Sequence, residues 1–163
     1  MLAKSKLTAN PKRQSDSFLA KYDPAIAAFA RRVLVRMRKR LLGAVEMVYD
    51  NYNGLVIGFG PNDRASLAIF SIVLFPRWVT LCFLQGAGLP DPQRRLPGEG
   101  RVVRHIRLED VSVRDDPYVQ KLMNFALRRA KVPLDPKSRQ QLIIKSISAK
   151  QRPRKPLPKR CRL

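Results

Sequence analysis

Between Val45 and Leu108 the chain offers five β-branched and aromatic runs: Val45 to Tyr52, Leu55 to Phe59, Leu67 to Phe75, Trp78 to Leu84 and Arg101 to Leu108. The links between several of them are too short to hold a helix. Asn53-Gly54 joins the first two, and both residues tolerate the positive φ that a two-residue hairpin turn requires. Pro76-Arg77 makes a similarly tight link between the third and fourth runs. Parallel neighbours need a crossover of about a dozen residues or more, so these connections dictate antiparallel pairing. Residues 85–100, QGAGLPDPQRRLPGEG, read as a loop.

Helical periodicity flanks the strands. Asp23-Pro24 is a helix start, because a carboxylate at the cap accepts from an orphan N–H and proline at the first position loses no needed donor. From there to about Leu42, Ile26, Phe29, Ala30, Val33, Met37 and Leu41 form an apolar stripe, with Arg31, Arg32, Arg36, Arg38, Lys39 and Arg40 on the remaining arc. Gly43 suits the end of this helix. Asp116-Pro117 repeats the start signal for a second helix to about Lys131, with Val119, Leu122, Met123, Ala126 and Ala130 on its apolar side. Gln141 to Ser148 is β-branched and reads as a late strand or a short helix. The expected fold is α+β: a two-layer sandwich of an antiparallel sheet of about five strands, with two main helices on one face and basic flexible tails.

Charge is the other strong feature. Thirty-three Lys and Arg oppose twelve Asp and Glu, a formal charge of +21 on 163 residues. Residues 132–163 carry ten basic side chains and one acid, and residues 1–17 carry four and one. The organisation expected is a basic N-terminal extension at 1–17, a folded domain at 18–148 and a basic Pro/Arg-rich tail at 149–163. Prolines keep that tail extended, so that its charges can track a phosphate backbone. The candidate anion-binding residues are Arg31, Arg32, Arg38 and Lys39 on the first helix, Arg101 and Arg107 near the fifth strand, and Lys150, Arg152, Arg154 and Lys155 in the tail. The partner this implies is a nucleic acid or other polyanion, bound without sequence preference.

Other chemistry is thinly supported. The sole histidine, His105, reads as a strand residue on a half-exposed face, and Cys82 as core packing, so no catalytic residue is assigned and a non-enzymatic role is expected. Cys82 and Cys161 are expected to be reduced thiols. The run GAGLPD lacks the immediate helix that a nucleotide fingerprint needs, because Pro90 and Pro92 interrupt it. The acids are too scattered for a metal site, Glu46 and Asp50 being the weak alternative. Tyr49, Asp50, Tyr52 and Asn53 crowd polar and aromatic groups around one hairpin; with Trp78 and His105 they are the candidate ligand-pocket residues, or they serve packing and the turn. No apolar run is long enough to span a bilayer and the N-terminus has no apolar signal region, so a cytoplasmic location without membrane contact is expected.

The blocks EMVYDNYNGLVIGFGP, SIVLFPRWVTLCFLQGAGLPDP, LPGEGRVVRHIRL and IIKSISAKQRPRKP, in that order, resemble the YdhG-like family of small bacterial proteins of unknown function, from about Phe18 to Pro156. The resemblance implies a frataxin-like sandwich. A member of the wider family is regarded as a frataxin-like iron chaperone, in which acidic residues on the first helix and first strand hold the metal, making iron the alternative cofactor. This chain departs from that pattern: its first helix has six Arg or Lys between Arg31 and Arg40 and no acid after Asp23, leaving only Glu46 and Asp50.

Overall fold

A computed structural model describes residues 10–158. Helix α1 spans Pro11–Leu19 and α2 spans Pro24–Arg40; strands β1 (Val45–Asp50), β2 (Leu55–Gly60), β3 (Phe70–Leu74), β4 (Val79–Phe83) and β5 (Arg104–Leu108) follow. A short helix α3 (Val111–Asp115), helix α4 (Pro117–Arg129) and strand β6 (Gln141–Ile147) complete the order. The sheet runs β5-β4-β3-β2-β1-β6. The first five strands form the expected antiparallel meander.

The sixth strand changes the sheet type. β6 lies parallel to β1, so the sheet is mixed rather than purely antiparallel. The tight hairpin links excluded parallel pairing only among β1 to β5. The segment after β5 holds two helices and is long enough for a crossover back to β1.

Strand alternation separates two environments. Val48, Leu55, Ile57, Phe59, Phe70, Ile72, Leu74, Val79, Leu81, Phe83, Ile106 and Leu108 meet Ala30, Val33, Leu34 and Met37 of α2, Val119, Leu122 and Met123 of α4, and Phe18 and Leu19 of α1. The core therefore lies on one side of the sheet. On the other side Val45 and Met47 form a small cluster with Ala68, joined by Tyr49, Leu84 and Ile143; among the described residues, no α-helix covers it.

The helix starts differ in mechanism. Asp116 caps α4, its Oδ1 accepting from the Tyr118 N–H at 2.8 Å. Asp23 makes no such side-chain bond, and α2 begins on Pro24 alone. Gly43 follows α2 with φ 78°, and the Asp135 carbonyl occupies the space a Cβ would need.

Both ends of the expected domain need correction. Residues 11–17, expected as extension, belong to α1, which starts at the Asn10 cap and buries Ser15, Phe18 and Leu19. Residues 1–9 lie outside the described residues. The tail, expected to be flexible, is bound to the end of β1 through residue 154. The Ser148 N–H donates to the Asp50 carbonyl and the Arg152 N–H to the Tyr52 carbonyl, both at 2.9 Å. Arg154 is buried, donating to Asp50 Oδ1 at 2.9 Å and to the carbonyls of Asn51 and Tyr52. Lys159 to Leu163, with Cys161, lie outside the described residues.

Asp50 has no solvent exposure. Burial alone would raise its pKa; hydrogen bonds from Lys21 (2.6 Å), Gln151 and Arg154, together with the Lys21 charge, outweigh that and hold it below the usual carboxylate range. Beside it, buried Tyr22 accepts from the Leu55 N–H at 3.0 Å and donates to the Leu74 carbonyl at 3.1 Å, with the Arg154 guanidinium 5.8 Å from its ring. Losing Arg154 leaves the buried Asp50 carboxylate with Lys21 as its remaining charged partner, so the cost is that of lost hydrogen bonds to a charged group, about 1.5–3 kcal/mol, rather than that of a stranded charge. Arg154→Ala is thus expected to lower urea-unfolding stability by about that amount and truncation before Ala149 by at least as much, whereas Lys150→Ala leaves it unchanged. Because the Asp50 pKa is lowered on folding, its contribution is present above the unfolded carboxylate value and is lost as pH falls through the folded one. Acid titration of Arg154→Ala should show a shallower loss of stability below about pH 4 than the parent.

Candidate functional site

The uncovered side of the sheet carries an aromatic pair at the β3–β4 turn. Leu74 and Val79 are register partners facing the core, so the residues just beyond them, Phe75 and Trp78, turn outward around Pro76-Arg77. The Phe75 N–H donates to the Trp78 carbonyl at 2.9 Å, and the two rings lie 5.4 Å apart. Trp78 remains 36% exposed, high for an indole in a packed hairpin. Arg107, whose strand partner is Thr80, places its guanidinium 4.9 Å from the Trp78 ring.

Two grooves share this pair. One, of about 440 Å³, runs over the sheet between Val73, Thr80, Cys82, His105 and Arg107. The other, of about 650 Å³, lies between Asn53, Pro76 and Arg77 on one side and Arg152, Pro153 and Lys155 on the other. The wall formed by the C-terminal segment exists because Arg154 is pinned inward; its neighbours Arg152 and Lys155 are left exposed. Arg152 sits 5.6 Å from the ring of Tyr52, itself 49% exposed. Among the described residues, Arg77, Arg107, Arg152 and Lys155 make no ion pair, and no carboxylate lines either groove.

The structure thus gathers part of the expected set. Asn53, Trp78, His105, Arg107, Arg152 and Lys155 surround one surface, with Tyr52 beside Arg152. Tyr49 lies half-buried in the small cluster on the same side, where burial raises its pKa. Asp50 is withdrawn from any ligand role by Lys21 and Arg154, and Arg154 from anion binding by Asp50. Arg38 is likewise committed: its Nε and Nη2 donate to both Glu46 oxygens at 2.8 and 2.9 Å. Arg31, Arg32 and Lys39 are exposed on α2, and Lys150 is exposed near the β1–β2 hairpin. Arg101 is distant from the aromatic pair, on a cleft of about 510 Å³ with Arg129 and Lys131 at the other ends of β3 and β4.

Iron fits poorly at the two acids proposed as its alternative ligands. Glu46 and Asp50 share the core-facing side of β1, are almost wholly buried, and each is already neutralised by guanidinium or ammonium. Among the described residues, no three His, Cys, Asp or Glu side chains come together. Burial pushes the Cys82 thiol up, with a partial offset from Ser71, which keeps it protonated at neutral pH.

Phe75 and Arg77 were not expected in the site. Their signal is the phase of the hairpin: a two-residue turn makes its flanking residues neighbours, so Phe75 must meet Trp78. Comparison with protein-family models, curated proteins and solved structures finds no match.

Because Trp78 is the sole tryptophan, its emission reports directly on this surface. Arg107→Ala is expected to shift that emission to longer wavelength as the indole gains water. An exposed cation–π contact is worth about 0.5–1 kcal/mol, so thermal stability should fall by no more than that.

Proposed function

We propose that this protein is a non-enzymatic, cytoplasmic binding module of the YdhG-like type, and that it holds a single-stranded nucleic acid across the uncovered sheet face. The observation that carries the reading is the partly exposed Phe75–Trp78 pair, bordered by Arg77, Arg107, Arg152 and Lys155 with no carboxylate to neutralise them. Such a surface combines the two attractions a single strand needs. A base presents a π-face to the indole, and cations on both sides meet its flanking phosphates. Duplex bases are already stacked on one another and cannot occupy the aromatic pair. Affinity without sequence preference follows, since neither stacking nor phosphate contact reads base edges.

The interface differs from one built on the first helix and a free tail. Arg38 and Arg154 are spent on internal carboxylates, and residues 152–157 contribute a wall of the groove. Arg31, Arg32 and Lys39 add long-range attraction from the far side of the sheet.

Titration with an unstructured oligothymidylate should quench Trp78 emission, and a duplex of equal length should bind more weakly. Four neutralised phosphates give a slope of log K against log salt of about −3. Trp78→Ala should weaken binding by about 1–3 kcal/mol, followed by anisotropy of a labelled strand. Salt-independent binding, or equal affinity of the Trp78→Ala protein, would remove the proposal.

A further inference from the structure

On the helical side of the sheet, three arginines converge where α2 packs against α3. Arg36 and Arg40 lie one turn apart on α2, and Arg114 is in α3. Asp115 bridges two of them, Oδ2 with Arg36 and Oδ1 with Arg114. Arg40 donates its Nη2 to the Asn124 side-chain oxygen on α4. Among the described residues, Arg36 and Arg114 pair only with Asp115, and Arg40 with no carboxylate, leaving three cations against one anion.

The hydrogen bonds show the same deficit atom by atom. A guanidinium presents Nε–H and Nη2–H as a fork along one edge, matched to two oxygens of one acceptor. Arg38 shows the filled arrangement, with both donors on Glu46. Arg40 and Arg114 show it half-filled, as Arg154 does: Nη2 of each is engaged, while Nε of each is buried without a partner. What sets Arg40 and Arg114 apart is that with Arg36 they have one carboxylate among three cations, whereas Arg154 and Lys21 have Asp50 to themselves. Arg114 is the more telling, its side chain being only 9% exposed. A buried donor left idle costs more than an ordinary hydrogen bond returns, and more when charged. Burial, followed by repulsion from Arg36 and Arg40, also pulls the Arg114 pKa below its usual range.

We propose that Arg36, Arg40 and Arg114 form a binding site for a phosphoryl dianion, with the Asp115 carboxylate as its internal stand-in. A carboxylate offers two oxygens and one charge. A phosphate offers additional acceptor oxygens and up to two charges, enough to fill both idle forks and balance the remaining cations. Asp115 is 39% exposed, so its carboxylate borders water on the side away from the arginines. The site lies on the opposite layer from Trp78 and stands independently of the single-strand reading.

Inorganic phosphate is the probe, compared with sodium chloride at equal ionic strength by thermal unfolding. For a dissociation constant on the order of 1 mM, 20 mM phosphate should raise the midpoint by about 5 °C beyond the chloride control. Arg36→Gln combined with Arg40→Gln, both at partly exposed positions, should abolish the excess shift. Asp115→Asn removes the internal competitor and should tighten phosphate binding several-fold by calorimetry, the reverse of what a purely structural ion pair would give. No excess over chloride in the parent, a shift that persists in the double variant, or weaker binding by Asp115→Asn would each overturn the proposal. Oligothymidylate quenching of Trp78 is expected to survive in the double variant. Its loss would show that the arginines serve the strand rather than a separate phosphoryl group, and would likewise overturn the proposal.

Discussion

Placing a carboxylate entirely out of water is costly, and Asp50 is the place where this fold does so. The cost is offset because Lys21 from the α1–α2 connection and Arg154 from beyond β6 converge on its two oxygens. Two segments remote in sequence are thereby fixed to the end of β1. Tyr22 extends the arrangement to β2 and β3 through its hydroxyl. With Arg154 held inward, the segment around it has one orientation available, and Arg152 and Lys155 are presented to the groove beside Trp78. The internal ion pair positions the outward cations.

The large positive charge consequently divides into groups with different physics. Lys21, Arg38 and Arg154 are neutralised by carboxylates with almost no exposure and contribute to the fold. Arg77, Arg107, Arg152 and Lys155 border an aromatic pair without opposing acids. Arg36, Arg40 and Arg114 crowd a single acid and leave two forks half-used. Net charge alone describes none of these situations; the arrangement of twelve acids among thirty-three bases does.

Local chemistry made much of the fold legible. The Pro76-Arg77 turn, the stripes of α2 and α4, and the Asp116 cap depend on residues within a few positions of one another, and they are where the sequence places them. The first hairpin instead turns on Tyr52-Asn53, one residue before the expected Asn53-Gly54, with positive φ at neither Asn53 nor Gly54. Features decided at long range were not legible. Composition gave α1 little to announce it, since PKRQSDSFL buries chiefly its last turn. β6 could be read as strand or helix because its pairing with β1 lies far away in sequence. The segment around Arg154 looked solvated, being basic and proline-rich, and only a carboxylate 104 residues upstream makes it part of the interior. The site was half legible for the same reason. Trp78, Asn53 and His105 stood out as residue types, while Asp50 and Arg154 stood out for a role they do not have.

That separation of 104 residues also bears on how the protein is made. A ribosome delivers Lys21 and Asp50 long before Arg154, so the second of the two cations that hold this acid is the last to be made. A polypeptide cut short just upstream of it would contain nearly every hydrophobic residue of the core and leave Asp50 with Lys21 alone.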